Sequence, residues 1–142
     1  MTLYPKRIYL CQIYRHMAKT ILSTDPSAEL PLTPAVFSIL LALADGEKHG
    51  YAIMQTVLAE TEGAVRMGPG TLYGSLDRML CAGFIEEMEE RPDPESDDER
   101  RRYYRLTDFG VRVLRAEVRR LEQAVNLARR KKLSIQQTCE SL

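Results

Sequence analysis

The hydrophobic period of this chain changes at Gly83. Upstream, apolar residues recur about every 3.6 positions, the spacing of helices. Downstream, Phe84-Ile85-Glu86-Glu87-Met88-Glu89-Glu90 and Arg101-Arg102-Tyr103-Tyr104-Arg105-Leu106 follow the alternation of about two that belongs to strands. The connector between them, PDPESDDE, is acidic and broken by proline, as an exposed hairpin tip would be.

Three helices are expected before the switch. Thr33 and Pro34 give an N-cap followed by proline at the first helical position, and Asp45-Gly46 ends the run. Between them PAVFSILLALA is apolar nearly all round, so this helix must be central to the core. A second helix is predicted from Gly50 to Glu62, with Tyr51, Met54, Val57 and Leu58 as its buried stripe and Gly63 as its stop. Ala64 to Met67 is too short for anything but a turn or a single strand pairing. The third helix spans GPGTLYGSLDRMLCAGF, Gly68 to Phe84. Leu72, Leu76, Met79 and Leu80 form its apolar stripe, Pro69 suits its start and Gly83 its stop. Thr71, Gly74 and Arg78 fall on the opposite side, with Ser75 at the margin. Two short helices joined by a tight glycine-containing turn make the helix-turn-helix pattern, and three helices followed by a hairpin is the order of a winged helix.

After the second strand, Thr107 caps a long helix with Asp108 in its first turn. Val111, Leu114, Val118, Leu121, Val125 and Ala128 alternate spacings of three and four along it, a heptad seam. A seam of this length has no obvious intramolecular partner of equal length and reads as a dimerisation helix, the alternative being a helix laid back on its own domain. The fold class is therefore mainly α with a small β-hairpin. Residues 1–31 are an N-terminal helix and linker, 32–106 a winged helix-turn-helix domain, 107–133 the dimerisation helix and 134–142 a tail. Residues 7–22 are amphipathic, with Leu10, Ile13, Tyr14, Met17 and Ile21 on one side and Lys6, Arg7, Arg15 and Lys19 on the other. Such a helix packs on its own domain or a sister subunit more often than on a membrane.

Net charge is zero, so no global electrostatic argument favours nucleic acid. The distribution is uneven, however: nine acidic residues fall between Glu86 and Glu99, and twelve basic ones between Arg100 and Lys132. The three cysteines, Cys11, Cys81 and Cys139, show no metal or redox spacing and read as free thiols in a reducing cytoplasm. No apolar run reaches transmembrane length. An enzyme would need a nucleophile beside a base or clustered metal ligands; only His16 and His49 are present, neither at ligand spacing, and no cofactor is expected.

Together LTPAVFSILLALADGEKHGYAIMQ, GPGTLYGSLDRML, GFIEEMEE and RRRYYRLTDFG resemble the PadR family of bacterial transcriptional regulators, over about Leu32 to Leu133. The wing resembles that of a compact subgroup. The resemblance implies a homodimer held by the long C-terminal helix, binding double-stranded operator DNA and usually repressing. Relatives also respond to phenolic or drug-like effectors. A ligand-sensing or protein-binding winged-helix dimer, with DNA binding secondary, is the alternative. The absence of tryptophan disfavours a drug-stacking pore built on that residue.

A major groove admits one helix, whose side chains read base edges. On the third helix Arg78 is the one long donor, for guanine or phosphate. Thr71 and Ser75 suit phosphate oxygens, and Tyr73, in the family's GTLY motif, packs its ring while its hydroxyl reaches a phosphate. Gly74 costs about 1 kcal/mol relative to alanine; it either lets DNA approach or relieves crowding by a neighbouring helix. The N–H groups around Gly70 suit a phosphate. His49 and Tyr51 match the family's HGY turn, with His49 read as a cap ahead of a phosphate contact. Arg100, Arg101 and Arg102 flank the wing tip, within reach of the minor groove or backbone, and strand alternation keeps all three from facing DNA together. The acidic tip is expected to point away from DNA or to pair with these arginines.

Overall fold

The computed structural model describes residues 25–88, 102–131 and 133. Its elements are α1 (Pro34–Ala44), β1 (Lys48–His49), α2 (Gly50–Glu60), α3 (Pro69–Ala82), β2 (Ile85–Met88), β3 (Tyr103–Leu106) and α4 (Asp108–Arg130). The amphipathic segment 7–22, the wing tip, Arg100 and Arg101 lie outside the described residues.

Local chemistry sets the helix ends. The Thr33 hydroxyl accepts the Val36 N–H at 3.3 Å, with Pro34 at the first position of α1. At the end of α3, Gly83 adopts a left-handed φ of 80°, and the Phe84 N–H reaches back to the Met79 carbonyl at 3.0 Å. That closure turns the chain at once into β2. Thr107 caps α4, its hydroxyl accepting the Gly110 N–H at 3.0 Å while donating to the Gly83 carbonyl.

α1 is the hub. Ile39, Leu40, Ala42 and Leu43 are buried, and the helix packs on α2, α3, α4 and β3. From α2 the core takes Ile53 and Val57, from α3 Leu72, Leu76 and Met79, and from α4 Val113 and Leu114. The stripe expected on α2 is thereby corrected. Tyr51 is 62% exposed and Leu58 38%, while Ile53 takes the inward position. The inward face of α2 is centred one residue away from the expected one.

The β-hairpin is part of a three-stranded antiparallel sheet in the order β1-β3-β2. The extra strand is Lys48–His49, pairing with Tyr104 and Tyr103, whereas residues 64–67 form no strand. Between β2 and β3, Glu86 stands opposite Arg105 and Glu87 opposite Tyr104. Arg105 pairs with Glu86, and Arg102 with Glu87 at 3.2 Å.

The segment ahead of α1 is more than a linker. Asp25 caps a 3-10 turn, Pro26–Glu29, which packs on α4. Glu117 of α4, 2% exposed, accepts the Leu32 N–H at 3.3 Å and two bonds from the Arg120 guanidinium, at 2.7 and 2.8 Å. Arg120 above all, with the Leu32 N–H, holds the Glu117 carboxyl below its ordinary value against the opposing cost of burial.

The heptad seam divides into two parts. Leu114 is buried in the domain's own core and Val111 is half-buried. Val118 and Val125 are 37% and 36% exposed, with Leu121 and Ala128 half-buried between them. Leu114 is thus taken from the surface seam, because the first turns of α4 close over the helical domain.

Candidate nucleic-acid interface

A helix turns about 100° per residue, so spacings of four and three stack side chains in a line. On α3 the buried line is Leu72, Leu76 and Met79, joined by Ser75 at 1% exposure. Ser75 is therefore corrected from a surface hydroxyl to an inward one. It sits between the Leu72 and Met79 rows and can offer nothing to a phosphate outside the helix.

The opposite line is Gly70, Gly74 and Asp77, all exposed. Cys81 continues it at the C-terminal end, where it is half-buried and disulfide-bonded. That bond corrects the expectation of three free thiols; Cys11 and Cys139 lie outside the described residues. A methyl group built at Gly68, Gly70 or Gly74 meets nothing within 4 Å. None of the three has a positive φ. Crowding by a neighbouring helix thus does not explain Gly74. The described fold would accept a side chain at each of these three positions.

Thr71 and Arg78 flank the line on one side and Tyr73 on the other. Thr71 and Arg78 are exposed, and Tyr73 is 48% exposed. The Arg78 guanidinium donates to the Ser75 hydroxyl at 3.3 Å, one turn back. It also lines a crevice of about 260 Å³ with Glu29, Thr33, Val36 and Phe84. The long donor thus leans toward the segment preceding α1. Asp77, which lies nearer the middle of the face, is not among the residues the sequence pattern singles out; counting forward from Gly70 and Gly74 in steps of four and three reaches it.

The two helix N-termini meet beside this line. Gly68 caps α3 with no side-chain hydrogen bond, leaving the Gly70 and Thr71 N–H groups without a side-chain acceptor. His49 is the N-cap of α2, its Nδ1 accepting the Ala52 N–H at 3.1 Å, which in the neutral ring puts the proton on Nε2. Its ring also stands edge-on to Tyr103, with centroids 5.7 Å apart. The Tyr73 hydroxyl lies where a side chain on Gly50 would begin, 2.9 Å from a built Cβ. Gly50 thus lets Tyr73 fold across the start of α2, with the exposed Tyr51 next to it.

On the wing, Arg102 is engaged by Glu87. Tyr104 is buried in the sheet; desolvation, and behind it the Glu87 carboxylate, pushes its phenol well above the ordinary range. It is therefore a neutral core group.

The sequence profile of the transcriptional regulator PadR-like family matches residues 39–116, from the middle of α1 into α4. The chain belongs to this family. An uncharacterised 37.1 kDa protein of a Streptomyces fradiae transposon is 38% identical over 79 residues, 56% of this chain. The chain spans only 20% of that relative's length. A PadR family transcription regulator from Clostridium difficile has the same fold, with a TM-score of 0.58 at 21% identity, covering 69% of this chain and 97% of that one. Bacillus subtilis PadR, solved in complex with operator DNA, is 25% identical with a TM-score of 0.52, over 60% of this chain and 45% of its own. The family match ends inside α4, so the second half of that helix lies beyond it.

Proposed function

We propose that this chain is a DNA-binding transcriptional regulator that lays α3 in the major groove of a pseudo-palindromic operator as a homodimer, and represses from there in the cytoplasm. The observation that carries the reading is the bare line on α3. Glycine inside a helix costs about 1 kcal/mol relative to alanine, yet Gly70 and Gly74 relieve no contact among the described residues. Something outside the chain comes close to this face. A DNA backbone at the groove edge fits, because the adjoining N–H groups of α3 offer a phosphate both hydrogen bonds and the positive end of the helix dipole. The operator complex of the Bacillus subtilis protein supports the same use of the fold.

In this reading Gly70, Thr71 and Tyr73 take phosphates, Gly74 sets the docking distance and Arg78 reaches the flank. Tyr51 adds a further phosphate contact from the start of α2. His49 holds that helix start in place through its capping bond, and Arg102 serves the wing only by releasing Glu87. The outer part of the seam, the exposed Val118 and Val125 with the half-buried Leu121 and Ala128, pairs two copies, giving half-sites about one helical turn apart. The crevice beside Arg78, about 260 Å³, is smaller than an ordinary drug-sized site of about 300 Å³ or more, so it lends no weight to the ligand-sensing alternative.

The test compares full-length wild type with Gly74→Ala on duplex DNA from the upstream region of its own gene. The variant should melt at the same temperature or higher. Its binding should weaken about tenfold or more, a loss of about 1.4 kcal/mol. Wild-type affinity should fall linearly on a log–log salt plot, as counterion release requires. Undiminished binding by the alanine variant would remove the basis of the reading.

A further inference from the structure

We infer that Asp77 is the base-selecting residue of this interface and that it selects cytosine. The inference rests on the docking of α3 proposed above and names which side chain supplies its specificity. Asp77 is exposed and stacks in line with Gly70 and Gly74 at spacings of four and three. It is the one member of those three with a functional group, and two bare turns precede it.

Nothing among the described residues accounts for a carboxylate there. The positions three and four residues away are Tyr73, Gly74, Leu80 and Cys81, none of them a cation to pair with along the helix. No hydrogen bond or ion pair holds Asp77 among the described residues. Aspartate is also a poor helix former, because its short polar side chain competes for the backbone.

A carboxylate facing DNA is repelled by phosphates unless a base gives it a hydrogen-bond donor. Ionised, it only accepts. In the major groove guanine offers O6 and N7 and thymine offers O4, all acceptors that repel it. Adenine offers one donor, N6, beside the acceptor N7. Cytosine offers its N4 amino group with no neighbouring acceptor on its own edge, the match for an aspartate or glutamate. Guanine and thymine repel the carboxylate, adenine meets it with a donor beside an acceptor, and cytosine meets it with a donor alone, so one residue gives both attraction and exclusion. Arg78, drawn toward Ser75 on the flank, is left to a backbone contact.

The experiment selects duplexes from a randomised pool with full-length wild type, Asp77→Asn and Asp77→Ala, followed by sequencing and by titration of the enriched site. The exposed position predicts that Asp77→Asn melts like wild type and Asp77→Ala at the same temperature or higher. Wild type should enrich a two-fold symmetric site with cytosine at one position of each half. Asp77→Asn gains a donor and should move that position to adenine, whose N6 and N7 an amide matches. Asp77→Ala should leave that position degenerate, keep the flanking ones and bind the wild-type site about tenfold more weakly. Identical preferences in all three proteins would overturn the assignment. So would loss of all DNA binding by both variants with melting unchanged. If wild type enriches no sequence at all, the proposed function itself fails, a result separate from either.

Discussion

At the scale of single residues the strongest constraint is Gly110. A Cβ there would lie 1.9 Å from the Phe84 carbonyl oxygen, a backbone atom held by the Thr107 N–H at 3.0 Å. Gly110→Ala is therefore expected to cost about 3 kcal/mol or more, read as a fall in the denaturant midpoint. Glycines thus serve opposite ends in this chain: Gly110 is required by a contact and Gly74 by none. Glu117 gives a pH signature. Its carboxyl is depressed in the folded state, so its contribution is complete above the unfolded carboxyl value of about 4.3 and is lost as pH falls through the lower folded value. The melting difference between wild type and Glu117→Gln should be constant near neutrality and shrink below about pH 4. Helix caps were legible from sequence because their chemistry is local: Thr33 and Thr107 cap with residues three positions on. Ser75 was not, because its place depends on which side of α3 the rest of the domain covers.

At the scale of elements, helices α1 and α3 could be read from composition and period, and β1 could not. Two residues carry no period, and Lys48–His49 becomes a strand only because β3 pairs with it. On α2 the apolar residues Tyr51, Ile53, Met54, Val57 and Leu58 span too wide an arc to show which part faces in. The structure turns Ile53 and Val57 inward and leaves Tyr51 out. The junction of α3, β2 and α4 is held mainly by Thr107, whose hydroxyl serves the Gly83 carbonyl and the Gly110 N–H together. Thr107→Ala removes the cap and the bond to the Gly83 carbonyl. It should cost about 2 kcal/mol, the upper range for such caps, measured by chemical unfolding.

For the whole molecule, the division of α4 bears on the proposed association. Its early turns complete the domain core, while Val118 and Val125 remain exposed beyond it. Val125→Glu should therefore leave the fold intact and shift sedimentation toward the monomer, with operator binding lost in proportion. Wild-type melting should rise with protein concentration, as expected when folding and association are linked. The seam was visible in the sequence as a uniform repeat; its division was not, because it depends on how far the helical domain reaches along the helix. The Thr107 and Gly110 contacts fix the start of α4 to the end of α3, with no slack between them. A rigid rod of 23 residues is about 34 Å long, so a rotation of about 5° at its far end displaces its root by about 3 Å. In the proposed dimer, two copies joined along that rod would work as a pair of calipers, and a ligand or a second protein that changed the angle between the arms would alter the span between the two α3 helices without touching either one.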